Sequence, residues 1–166
     1  MTAYRLARAG ARTALIERGG WVRRDETDWD ARSILLEKRY KSDSPIQVSL
    51  YGESRAPEFP NETVGGMSVF YGGASLRLRE NDFERWPISY DDLAPFYDEA
   101  EALLGVHGSA GADPFEPPGV TPYPFDPIPP TGPATRIQEA ARALGHHPFP
   151  IPLAINFTED TRSKCI

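Results

Sequence analysis

Nine of the seventeen prolines fall between Pro114 and Pro133, and this run constrains the chain more than any other feature. Each ring fixes φ and removes a backbone donor, so no helix and no central strand fits there. The stretch DPFEPPGVTPYPFDPIPPTGP is therefore expected to be extended and loop-like. Phe115, Tyr123, Phe125 and Ile128 give it apolar anchors. That favours an ordered connector over a ligand for a proline-binding module, whose sequences are usually more charged and less aromatic. Fourteen glycines add further punctuation and leave little room for long helices.

A length of 166 residues is about one domain's worth of chain. The net charge of −6 argues against a nucleic-acid-binding domain. The charge is uneven: residues 1–41 hold ten Lys/Arg against six Asp/Glu, whereas residues 80–116 hold ten Asp/Glu against Arg85 alone. Solvated helix faces account for both blocks, and neither implies a partner. No apolar run reaches transmembrane length. Cys165 is the single cysteine, which excludes an intrachain disulfide and any multi-cysteine metal site. Arg5, Arg8 and Arg12 open the chain without an apolar stretch behind them, so no secretory signal is read there. The default location is then the cytoplasm, unless a signal precedes the residues in hand.

Residues 2–9 read as the end of a helix with Ala3, Leu6 and Ala7 on one stripe and Gly10 beyond its last turn. Thr13–Ile16 reads as a short buried strand that ends at Glu17 and is stopped by Gly19-Gly20. A helix followed by a strand is half of a βαβ unit, so a chain opening in mid-helix is expected to be truncated. Residues 30–38 suggest a short helix with Ile34 and Leu35 inward, and 46–51 a strand. Ser75–Arg79 alternates as well. The clearest helix is 90–104. Ser89 and Asp92 form a capping box, Leu93, Phe96, Tyr97, Ala100, Leu103 and Leu104 share a face, and Gly105 terminates it. A second helix, about 134–144, places Ile137, Ala141 and Leu144 inward, and 148–156 is extended. The fold class is α/β, or α+β for the piece present.

Two places can carry chemistry. An acid at the C-terminal end of the second strand of a dinucleotide-binding βαβ unit accepts hydrogen bonds from ribose hydroxyls, and Glu17 in ALIERGG suits that role. A surface glutamate at a strand-to-loop boundary is the plain alternative. The diagnostic Gly-x-Gly-x-x-Gly is not in the sequence. The paired glycines of Val64-Gly65-Gly66-Met67-Ser68 and Tyr71-Gly72-Gly73 let backbone approach a ligand and offer it N–H donors. Two tight turns would look the same.

Together, AYRLARAGARTALIERGG, TVGGMSVFYGGASLRLRENDFERW and ISYDDLAPFYDEAEALLGV resemble the glucose–methanol–choline (GMC) family of FAD-dependent oxidoreductases. The likeness is greatest to its pyranose-oxidase-like and bacterial sugar-dehydrogenase branch. It runs from residue 2 to about 107, and less specifically over LGHHPFPIPLAIN. The resemblance implies an incomplete Rossmann-like FAD-binding domain without its first strand and Gly-rich loop. Residues 1–113 would be that partial domain, 114–133 the Pro-rich connector and 134–166 the start of the next segment. It further implies oxidation of a CH–OH group of a small alcohol or sugar by hydride transfer to the flavin.

By this resemblance Glu17 is the ribose-binding acid, and Arg18, Gly19 and Gly20 form the turn beside the adenosine. Val64, Gly65, Gly66, Met67 and Ser68 pass the pyrophosphate and flavin, and Tyr71 and Gly72 follow as cofactor contacts. Phe70 stands where the branch can carry a histidine that links FAD covalently, so non-covalent FAD is implied. Tyr71 stands where other members have Asn or His. The family's catalytic base is a histidine near the C-terminus of a much longer chain. No catalytic residue is therefore assigned here, since His107, His146 and His147 are poor substitutes and Cys165 reads as an inert thiol. Trp86 is expected to pack in a short turn with Asp82 and Phe83. The chain alone is expected to lack turnover and to bind FAD poorly. Two other readings stand beside this one: a piece of an NAD-dependent dehydrogenase, and an interaction module using residues 114–133. No metal or nucleic acid is implied.

Overall fold

The computed structural model describes residues 2–23, 25–69 and 71–157. It divides into two compact units, Met1–Tyr71 and Gly72–Ile166.

The first unit opens with α1, Thr2–Arg8. Gly10 takes φ +83° and closes it, with the Ala11 amide reaching back to the Leu6 carbonyl at 3.0 Å. Residues 11–17 then carry no strand. Leu15 is 80% exposed and Ile16 94%, so the expected buried strand is corrected to an exposed, irregular segment. An apolar run specifies a buried strand only where a neighbouring strand supplies its hydrogen bonds, and none of the described residues pairs with Thr13–Ile16. Asp30 caps α2, Ala31–Leu35, by accepting from the Arg32 and Ser33 amides. Ile34 is half-buried, but Leu35 is exposed rather than inward.

The strand expected at 46–51 is shorter and forms a hairpin. β1, Ser49–Leu50, pairs antiparallel with β2, Glu53–Ser54. Tyr51 and Gly52 turn between them with φ of +52° and +82°, the two positive values that a tight primed turn requires. Ile46 bridges Glu58 further down. Among the described residues of this unit the buried ones are polar, Ser42 and Thr63. Charged contacts hold its segments together. Arg39 forks onto Asp25 at 2.7 Å through both terminal nitrogens, and Tyr40 donates to Asp28.

The second unit contains the apolar core: Phe83, Tyr90, Val106 and Ala154. Helix α3, Tyr90–Leu104, has the expected capping box from Ser89 and Asp92, and Gly105 ends it at φ +64°. Its buried side is not the expected Leu/Phe face. Phe96, Leu103 and Leu104 are exposed, while Tyr90 and Glu101 are buried. The reason is Arg77, whose side chain is 2% exposed. Its Nε and Nη2 donate to the two Glu101 oxygens at 2.8 and 2.6 Å, Nη2 to Asp98 at 2.6 Å, and Nη1 to the Tyr90 hydroxyl at 3.2 Å. Burial works against this charge, but the bonds to Glu101, Asp98 and Tyr90 outweigh it and hold the guanidinium protonated.

Phe83 meets Trp86 and Tyr90 edge-on at 5.4 and 6.2 Å. Asp82 accepts from the Arg79 amide at 2.8 Å and the Trp86 amide donates to the Phe83 carbonyl at 2.9 Å, so the short turn is present, but the Trp86 side chain is packed on one side only and 52% exposed. Single bridges then run in the order Ala74, Leu153, His107, Phe125. The Pro-rich stretch is part of this ladder through Phe125, and the Tyr123 ring lies so close to Gly108 that a Cβ there would come within 2.5 Å of it. Helix α4, Gly132–Ala143, follows, with Pro133 in its first turn. Ile137 and Leu144 are exposed, contrary to the inward placement expected. Among the described residues no helix is long and apolar enough to cross a membrane.

Candidate functional site

The chain doubles back so that the Glu17 turn meets the Gly65-Gly66 pair, with Gly65 48 residues from Glu17. The Glu17 carboxylate accepts from the amides of Arg18 at 2.8 Å, Gly19 at 3.5 Å and Gly65 at 3.3 Å. These backbone donors, Arg18 first, hold its pKa below the usual glutamate value, so it stays ionised. Next to it, Gly20 and Thr63 form a parallel bridge, and the Val64 amide donates to the Gly20 carbonyl at 2.9 Å. This brings Glu17, Arg18, Gly19, Gly20, Val64 and Gly65 into one place.

Gly19 is what permits the approach. A Cβ there would overlap the backbone of Glu62 and Thr63. Opposite it, the Arg18 guanidinium forks onto Glu62, with Nε and Nη2 each 2.6 Å from a carboxylate oxygen. Nη2 also reaches the buried Ser42 hydroxyl at 2.8 Å. Sequence reasoning placed Arg18 at the site but missed Glu62, Ser42 and Thr63. No motif signals a salt bridge that spans 44 positions.

The Gly65-Gly66 turn is left-handed at both residues, with φ of +91° and +55°. Its N–H groups are used within the protein: Gly65 donates to Glu17, and Gly66 to the Thr63 carbonyl at 2.8 Å. Met67 and Ser68 follow in a 3-10 turn, Gly66–Val69. The Ser68 hydroxyl donates to the Gly65 carbonyl at 2.6 Å, and the Asn61 amide to the Met67 sulfur at 2.8 Å. Met67 is 61% exposed. Tyr71, half exposed, ends the first unit, and Gly72, at φ +73°, begins the second. Phe70 and Cys165 lie outside the described residues.

The Arg18–Glu62 pair gives a pH prediction. The Arg18 hydrogen bond, the largest cause, lowers the Glu62 pKa from 4.5 to about 2. A depressed carboxylate contributes stability that is present above its unfolded pKa and lost as pH falls through its folded one. The midpoint of urea unfolding should therefore be flat above about pH 5 and decline between pH 4.5 and 2. Glu62→Gln should shallow that decline. It should not abolish it, because Asp25, also held at about 2 by Thr27 and Arg39, titrates in the same window.

His107 packs against the Pro-rich stretch. Its Nδ1 contacts the Asp126 carbonyl at 2.9 Å and its ring stacks on Phe125 at 5.0 Å. A cavity of about 100 Å³ lies in the second unit, beside Arg79, Asp113, Glu116 and Tyr123. None of the sequence-predicted site residues lines it. Its acids are engaged: Asp82 accepts from the Arg79 amide, Asp113 from the Phe115 amide, and Glu116 from the Tyr123 hydroxyl and the Gly111 amide. Among the described residues no group of three or more His, Cys, Asp or Glu is poised to hold a metal ion.

The chain is similar to several oxidoreductases. It is 41% identical over 115 residues to paromamine 6'-oxidase of Streptomyces fradiae, a match that covers 61% of this chain and 20% of that protein. It is 31% identical over 157 residues to 2-methyl-1,2-propanediol dehydrogenase of Mycolicibacterium austroafricanum, covering 85% and 28%. It is 30% identical over 168 residues to the gluconate 2-dehydrogenase flavoprotein of Pantoea cypripedii, covering 78% and 27%. The chain thus spans between a fifth and somewhat over a quarter of the length of these relatives. No family model matches it.

Proposed function

We propose that this chain is a flavin-binding segment of a GMC-type oxidoreductase that oxidises a CH–OH group of an alcohol or sugar. The observation that carries the reading is the Glu17–Gly65 hydrogen bond. It joins the two segments that the resemblance assigns to a single cofactor. The relatives support it from another side: one is named a flavoprotein, and the others are named a paromamine 6'-oxidase and a 2-methyl-1,2-propanediol dehydrogenase.

The residues present suit a dinucleotide. Glu17 is exposed and ionised, and its two oxygens offer about four lone-pair sites, of which three face backbone N–H groups. An acceptor remains for a sugar hydroxyl. Gly66 faces open space where a Cβ would stand, so the turn adds no side chain there that would hold a ligand away. Met67 gives the site a soft apolar surface. FAD, when bound, supplies the acceptor for the hydride that leaves the alcohol carbon. The chain's own residues would bind and orient it, with Glu17 on a ribose and Val64–Ser68 along the cofactor. By the resemblance, Phe70 stands where the covalent link of that branch would form and has no nucleophilic atom for it, which supports a non-covalently held cofactor.

FAD affinity should be weak, because the sequence has no Gly-x-Gly-x-x-Gly to present a helix N-terminus to the pyrophosphate. Calorimetric titration of the chain with FAD, and separately with NAD⁺, tests the reading. The expected result is weak, saturable FAD binding, reduced about tenfold in Glu17→Gln by the loss of a charged acceptor. Preference for NAD⁺, or no binding of FAD at millimolar concentration, would overturn it.

A further inference from the structure

Among the described residues, the Thr63 hydroxyl is the buried side-chain polar atom with no hydrogen-bond partner. Thr63 is 5% exposed, so solvent does not satisfy it. Its backbone is fully placed. It bridges Gly20, its carbonyl accepts from the Gly66 amide, and its main chain is what a Cβ on Gly19 would strike. It stands one residue after Glu62, which holds Arg18, and two before Gly65, which holds Glu17.

An unpaired buried hydroxyl is costly, whereas an apolar group of the same shape is not. We propose that the Thr63 hydroxyl is completed by ligand: it donates a hydrogen bond to an oxygen of the dinucleotide held at Glu17 and the Gly65-Gly66 turn. This rests on the FAD reading above and adds a binding residue that the motifs did not single out. It predicts a group that costs stability in the free chain and contributes affinity in the loaded one. A side chain that merely packs would not show that opposition.

The test compares wild type with Thr63→Val and Thr63→Ser by thermal unfolding, with and without FAD, and by FAD titration. Without FAD, Thr63→Val should melt at or above the wild-type temperature. With saturating FAD, wild type and Thr63→Ser should gain in midpoint. Thr63→Val should gain less and bind FAD about tenfold more weakly, the worth of one buried hydrogen bond. A Thr63→Val chain that is unfolded or less stable without FAD overturns the proposal, since the hydroxyl would then be satisfied by the protein or a fixed water. Equal FAD affinity in wild type and Thr63→Val overturns it while leaving the cofactor reading intact. A Thr63→Ser chain that behaves like Thr63→Val also overturns it. Absence of any FAD response in all three chains removes the cofactor reading and this proposal together.

Discussion

Replacing Arg77 with methionine should destabilise the second unit by about 3–5 kcal/mol, the usual cost of breaking one half of a buried ion pair. The number is large because of what stays behind. Glu101 is 7% exposed, and both of its oxygens face the Arg77 fork. Without the guanidinium they lose both of those donors and stay buried beside the Asp98 carboxylate. Asp98 would keep the Thr121 hydroxyl at 2.7 Å, so the damage is concentrated on Glu101. Arg77→Lys should recover only part of the loss, because an ammonium cannot present two parallel N–H groups to one carboxylate. The double variant Arg77→Met/Glu101→Leu should be far closer to wild type than Arg77→Met, since the stranded charge is gone. Urea unfolding at neutral pH, followed by Trp86 fluorescence in chains that carry Trp21→Phe and Trp29→Phe, gives all three values. A single Arg77→Met variant within about 1 kcal/mol of wild type would show that the fork is not what holds α3 in place.

The Arg77 network also shows where sequence reading stops. The alternation at Ser75–Arg79 was legible, but its sense was not. Leu76 and Leu78 are 54% and 41% exposed, and Arg77 lies inside. Hydrophobicity orders a strand's faces only when the opposite wall is apolar, and here that wall offers Glu101, Asp98 and Tyr90. Nothing local to residue 77 reveals acids that follow 21 and 24 positions later. Helix ends were legible because they are local. Ser89, Asp92 and Gly105 cap α3 by contacts within a few residues, and Gly10 closes α1 in the same way. Helix burial was not, as exposed Ile137 and Leu144 show.

The same division applies to the candidate site. Glu17 and the glycine pairs could be picked out by residue type and position alone, although each also fits a plain turn. Their meeting, the Arg18–Glu62 fork and the unpaired Thr63 hydroxyl depend on a chain reversal between residues 20 and 62, and no short motif encodes that reversal. Thr13–Ile16 is the opposite case. Its apolar residues predict burial, yet Leu15 and Ile16 are exposed because burial of a strand needs a ladder partner as well as a composition. The carbonyls and amides of such a segment must find hydrogen bonds in water when no strand lies beside them.

That chain reversal can be tested at one residue. Gly19→Ala should destabilise the first unit by about 2–3 kcal/mol, at the upper end for one methyl forced into a packed region. The obstacle is backbone, not a movable side chain: the added Cβ would overlap the carbonyl carbon of Glu62 and the amide nitrogen and Cα of Thr63. Backbone at that point cannot turn aside cheaply, because Val64 bonds Gly20 and Glu62 bonds Arg18 on either side of the collision. Gly20→Ala, where a Cβ meets nothing within 4 Å, is the matched control and should fall within about 0.5 kcal/mol of wild type. Amide spectra add a second readout. If Gly19→Ala pries the two segments apart, the Gly65 amide loses its Glu17 acceptor and the Gly66 amide its Thr63 carbonyl. Both resonances should then shift, while those of α3 and α4 should not. FAD affinity should fall with them, since Glu17 and Val64–Ser68 would no longer share one site. A Gly19→Ala chain as stable as Gly20→Ala, with unmoved Gly65 and Gly66 resonances, would mean that the Glu17 turn and the glycine turn do not pack together in solution.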